Sequence, residues 1–134
     1  MAYLFDTSIW IQLFKQRAPA VRSRIDSMDA ELFVTCSIVK AELWHGALKY
    51  DDPAKRLAQV NTAIGLYLSL PFDDAAARQY ADIRQDLETR AMVIGPNDLK
   101  IAAICLAHDL TLVTSNTSEF SRVPGLRVEN WAEA

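Results

Sequence analysis

Tyr3-Leu4-Phe5-Asp6-Thr7-Ser8 is the stretch from which the rest of the chain is best read. Three apolar residues are too few for a helix, so Tyr3 to Phe5 reads as a buried strand. Asp6-Thr7-Ser8 supplies the side-chain oxygens that cap a following helix. That helix is expected from Ser8 to Gln16, with Ile9, Trp10, Leu13 and Phe14 on its inner face. The chain thus opens as a strand that turns through a carboxylate into a helix.

The same alternation continues outward. A helix is expected from Pro19, a favoured first-turn residue, with Val21, Ile25 and Met28 turned inward. Leu32 to Cys36 is β-rich, and Ser37 is placed to cap a helix running to about Tyr50. Asp52-Pro53 opens a helix whose stripe is Leu57, Val60, Ile64 and Leu68, ending near Leu70-Pro71. Asp73 or Asp74 caps the next, with Tyr80, Ile83 and Leu87 inward, so residues 53–90 read as an antiparallel helix pair. Gly95-Pro96-Asn97 precedes a nearly all-apolar helix, Leu99 to Ala107, which must be buried on most sides. Thr111 to Thr114 is a strand, and Leu126 to Val128 a short last one. Strands separated by helices imply a mainly parallel sheet covered on both faces, a three-layer α/β/α fold, in one domain over residues 1–134.

Composition narrows the function. The chain has 134 residues, 51% of them hydrophobic, enough for one sizeable core. The longest apolar run, Ile101 to Ala107, has 7 residues, where a bilayer-spanning helix needs ~20. The first residues show no basic, signal-like segment, so a cytoplasmic protein is expected. Cys36 and Cys105 are 69 positions apart with no C-x-x-C, which points to buried free thiols. A net charge of −3 and a pI near 5.3 are poor for holding a phosphate backbone by bulk electrostatics. Divalent cations at a carboxylate cluster reverse the local sign. Lys15, Arg17, Arg22 and Arg24 form a local basic stretch that reads equally well as a solvated helix face.

In parallel α/β sheets ligands bind beyond the carboxyl ends of the strands. Asp6 follows the first strand, Glu42 lies just over one turn into the helix after the second, and Asp98 starts the buried helix before the Thr111 strand. Asn116 follows that strand by two residues. Hard oxygen donors converging on one sheet edge suit Mg²⁺ or Mn²⁺. Such an ion can orient water in line with a phosphodiester and neutralise the charge that develops. Plainer readings stand beside this one. Asp6 and Asp98 can be helix caps, Asn97 a turn residue, and Glu42 a partner of Lys40; Trp10, Trp44 and Trp131 are more often core than base-stacking platforms. Neither His45 nor His108 follows a strand, which disfavours a nucleophile–histidine arrangement. Glu42-Leu43-Trp44-His45 has the Glu-x-x-His spacing of a di-iron bundle, but there is no second copy.

Together these residues resemble the PIN domain, and specifically the VapC toxins of bacterial toxin–antitoxin pairs. The opening Tyr3 to Ser8 is similar to that family's strand-Asp-Thr-Asn start. Val39-Lys40-Ala41-Glu42-Leu43 resembles its second acidic motif, Gly95 to Ala103 its third, and Leu112 to Trp131 the tail of one large VapC subgroup. The resemblance implies that Asp6, Glu42 and Asp98 hold a catalytic Mg²⁺ or Mn²⁺, with Thr7 supporting the first acid. It implies hydrolysis of RNA, typically in the loop of a structured RNA such as tRNA, leaving a 5′-phosphate. It also implies a homodimer and a VapB-like antitoxin that covers the site. Two positions depart from the pattern: Ser8 stands where Asn is usual, and Asn116 where many members carry a fourth acid. Glu119 can reach the same space if residues 117–121 form a helical turn. The alternative is a catalytically silent RNA-binding or regulatory module on the same scaffold.

Overall fold

The structure, a computed structural model, describes residues 2–132. Its elements are β1 (Tyr3–Phe5), α1 (Thr7–Phe14), α2 (Pro19–Asp26), a 3-10 turn (Ala30–Leu32), β2 (Phe33–Cys36), α3 (Ser37–Ala47), α4 (Pro53–Ile64), β3 (Leu68–Leu70), α5 (Asp74–Thr89), α6 (Pro96–Ala107), β4 (Thr111–Val113), α7 (Thr117–Phe120) and β5 (Arg127–Glu129). The strands form one all-parallel sheet in the order β3-β2-β1-β4-β5. Helices flank it in the expected α/β/α arrangement, because parallel neighbours can be joined only by crossovers.

β1 is the central strand. Tyr3 pairs with Phe33 on one side and with Thr111 on the other, so β1 bridges the early and late parts of the chain. The chain builds outward from β1 to β2 and β3, then returns to lay down β4 and β5 on the opposite flank. The reversal puts a topological switch point between β1 and β4, where adjacent crossovers diverge and leave a crevice.

Packing follows the apolar pattern. Leu4, Phe5, Leu112 and Val113 are fully buried, as strands covered on both faces require. An aromatic cluster of Tyr3, Phe5, Phe33 and Trp131 has ring centroids 5.0–6.2 Å apart. In α6, Ile101 through Cys105 are all fully buried, as the all-apolar run predicts. Trp10 and Trp131 are core, whereas Trp44 is 40% exposed and donates its indole N–H to Asn61 Oδ1 at 2.8 Å. Both cysteines are buried free thiols.

The expected helix pair over residues 53–90 is corrected. α4 stops at Ile64, and Leu68–Leu70 is an edge strand pairing Val34 with Leu68 and Cys36 with Leu70. Leu68 continues the helical stripe after Ile64 but also alternates with Leu66 and Leu70, and three residues cannot separate the two periods. Gly65 closes α4 as its C-cap, and any Cβ there would lie 2.7 Å from the Asn61 carbonyl oxygen. α4 then packs along α3, and α5 along α6. Smaller corrections concern ends: α3 stops at Ala47 rather than Tyr50, its N-cap is Cys36 with Ser37 already helical, and α6 begins at Pro96. The basic stretch is divided, with Arg22 beside Asp26 and Arg24 stacked on Trp131 and paired with Glu129.

Candidate active site

Asp6 leaves β1 at the switch point and caps α1. Its Oδ1 accepts the Ile9 backbone N–H at 3.2 Å and the Ser8 hydroxyl, and its Oδ2 accepts the Thr114 hydroxyl. Only 4% of Asp6 is exposed. Burial pushes its carboxyl above the usual aspartate range, opposed by these donors. Thr114 stands just past β4, as Asp6 stands just past β1, and the parallel register brings the two together. Sequence reasoning took Thr114 as the end of the strand; its matching position after the neighbouring strand was the signal that could have found it.

Glu42 lies on the second turn of α3 and is half-buried. Its Oε1 accepts the Thr7 hydroxyl at 2.6 Å and its Oε2 faces the Asn97 amide nitrogen at 3.5 Å. Thr7 therefore supports the second acid, a correction to the expected support of the first, and Ser8 takes that place. Asn97 is more than a turn residue. Lys40 does not pair with Glu42; its ammonium lies 6.0 Å from the Trp44 ring centre.

Asp98 is the third residue of α6, in the first turn but not its cap. Its carboxyl is pushed up to about 7, first by burial, then by the Glu119 carboxyl within hydrogen-bonding reach and by the charges of Glu42 and Asp6. Residues 117–120 do form a helical turn, and it carries Glu119 into the cluster. Glu119 Oε1 accepts the Gly95 backbone N–H at 3.2 Å, and its Oε2 accepts the Asn116 side-chain amide. Asn116 thus presents its N–H₂ to the fourth carboxylate. Both histidines are exposed and lie outside this cluster.

Asp98 therefore feels the charges of Glu119, Glu42 and Asp6 at the carboxyl end of the sheet. Among the described residues, no lysine, arginine or histidine forms an ion pair with any of them. Nor, among the described residues, are three carboxylate, imidazole or thiol groups gathered tightly enough for a preassembled coordination shell. The donor set is all hard oxygen and its surplus negative charge lacks a counter-charge, so the residues fit a hard divalent cation in chemistry and sign. Beside Glu42 runs a groove of about 380 Å³, floored by Ile11, Phe14, Leu43, Ala47 and Val60 and rimmed by Lys15, Lys49 and Arg56.

Residues 3–126, which span strands β1 to β4 of this parallel sheet and the acids beyond them, match the PIN domain. The chain belongs to this family. Within it, the chain is 34% identical to Ribonuclease VapC2 of Haemophilus influenzae over 98% of both chains. It is 33% identical to the tRNA(fMet)-specific endonuclease VapC of Shigella flexneri, covering 98% of this chain and 99% of that one. A chain of the crystal structure of DNA-bound VapBC from Salmonella typhimurium superposes with a TM-score of 0.92 at 32% identity, covering 98% of each. No described helix is long and apolar enough to cross a membrane.

Proposed function

We propose that this chain is a metal-dependent endoribonuclease toxin in which Asp6, Glu42, Asp98 and Glu119 hold Mg²⁺ or Mn²⁺. The observation that carries the reading is the approach of these four carboxylates at the β1–β4 switch point with no ion-paired base among the described residues. A divalent cation bound there supplies charge neutralisation to a phosphodiester undergoing in-line attack by water. The chain's own residues do the rest. Ser8, Thr114 and the Ile9 N–H fix the oxygens of Asp6, Thr7 fixes Glu42, and Asn116 with the Gly95 N–H fixes Glu119. Without a cation the Asp98 carboxyl stands at about 7, so Asp98 would give up its proton on binding one and stay ionised as a carboxylate.

The substrate class is structured RNA such as tRNA, a reading supported by the name of the Shigella flexneri relative. The partner is a VapB-like antitoxin, supported by the VapBC assemblies of the structural relatives. The groove beside Glu42 suits an amphipathic segment, with an apolar floor for one face and three cations for acidic residues at its edge. RNA cleavage with Mn²⁺ by wild type and Asp6→Asn tests the activity. Loss in the variant supports the reading, and equal cleavage by both refutes it in favour of a catalytically silent module.

A further inference from the structure

We infer that Ser115 is a positioning residue for Asp6, acting through the hydroxyl of Ser8. The inference rests on the metal-binding reading of Asp6 and adds a residue to it. Ser115 lies in the loop after β4, 107 positions from Ser8, yet its Oγ donates to Ser8 Oγ at 3.0 Å. Ser8 Oγ in turn donates to Asp6 Oδ1. A serine hydroxyl has one proton and two acceptor lone pairs. When Ser115 donates to a lone pair of Ser8, the Ser8 proton is left pointing at Asp6, which fixes the sense of the chain Ser115 to Ser8 to Asp6.

The adjoining residue works on the other oxygen. Thr114 donates to Asp6 Oδ2, and its own Oγ1 is held by the Asn116 backbone N–H at 2.9 Å. Three consecutive residues after β4 therefore act on both oxygens of Asp6: Thr114 directly, Ser115 by relay, and Asn116 by holding Thr114. The geometry distinguishes them in exposure. Thr114 is fully buried and its loss would disturb the core, whereas Ser115 is exposed and can be changed without opening a cavity. Without Ser115 the Ser8 hydroxyl can turn its proton to water, and Asp6 Oδ1 keeps no side-chain donor, the Ile9 backbone N–H remaining.

The test is calorimetric titration of the metal-free protein with Mn²⁺ in the absence of RNA, together with thermal melting. Groups that orient a metal ligand affect affinity by ~10- to 100-fold, and one bond further out the effect is expected at about 3- to 10-fold. Ser115→Ala should therefore weaken Mn²⁺ binding by that amount at an unchanged melting temperature. Ser115→Thr, which keeps the hydroxyl, should restore wild-type affinity. In a Ser8→Ala background, Ser115→Ala should have no further effect, because the relay is already cut. Wild-type affinity in Ser115→Ala, with binding lost in Asp6→Asn, overturns the positioning role and leaves the metal site standing. Wild-type affinity in Asp6→Asn itself overturns both. A Ser115→Ala loss that persists undiminished in the Ser8→Ala background overturns the relay.

Discussion

The two ends of the acidic cluster are built on opposite principles. At Asp6 a buried carboxylate is met by donors: two hydroxyls and the backbone N–H groups of Ser8 and Ile9. At Asp98 a half-buried carboxylate is met by another carboxylate, Glu119, with Glu42 and Asp6 adding to the repulsion. Burial raises both carboxyls, but only at Asp6 do hydrogen bonds work against it. The first corner is fixed by hydrogen bonds alone; the second carries like-charge repulsion that the proposed cation would relieve.

The harshest way to break the comparison is to remove the platform of the second corner. Ile101 is fully buried in α6, three residues after Asp98. Ile101→Asp places an unpaired charge in the core at a cost of several kcal/mol, a large share of the ~5 to 15 that hold a domain together. Circular dichroism should show no cooperative melt, and a soluble variant that melts like wild type would show the α6 packing to be wrong. Next in size is activity. Asp6→Asn, Glu42→Gln and Asp98→Asn should each lower RNA cleavage by at least about 100-fold while retaining a cooperative melt. Near-wild-type turnover in any one of them removes that residue from the site.

A smaller effect separates the corners directly. In EDTA, Asp98→Asn should melt roughly 2 to 5 °C above wild type at pH 8, because it removes repulsion. Asp6→Asn should not, because an amide cannot accept all the hydrogen bonds Asp6 receives. The pH dependence has a definite sign. Asp98 rises from the usual 3.8 to about 7 on folding. Between those values the folded chain holds a proton the unfolded chain has released, so this group makes stability fall as pH climbs from about 4 to 7. Asp98→Asn should flatten that slope in calorimetry without metal; an unchanged slope would assign it elsewhere. The smallest expected effect is at residue 116. Asn116→Asp should tighten Mn²⁺ binding by roughly 3- to 10-fold, while adding a third carboxylate at the strained corner and lowering the melting temperature in EDTA. Equal affinities would place the side chain away from the ion.

Much of this arrangement was legible in short, strongly patterned segments. Tyr3 to Ser8 announced a strand, a turn and a cap, and the apolar run in α6 announced burial, because each signal is complete within a few residues. The three acids after or between strands followed from the topology those segments imply. What stayed hidden depends on distances that exist only after folding. Thr7 and Ser8 are adjacent, and nothing local says that one hydroxyl reaches Glu42 while the other reaches Asp6. β3 was hidden because Leu66 to Leu70 satisfies both periods, and pairing with β2 decides between them. Thr114 and Ser115 read as strand end and loop until parallel pairing sets them beside Asp6.

The pairing of β1 with β4 also governs when the site exists during synthesis. A ribosome builds the chain from its N-terminus at about 5 to 20 residues per second, and Asp6, Glu42 and Asp98 are all present before Thr111 is added. The strand that flanks β1, the hydroxyl that fixes Asp6 and the fourth acid all come later, at residues 111–113, 114 and 119. A nascent chain therefore carries the first three acids for a time without the framework that holds them, and the cluster is complete only once Glu119 has been added.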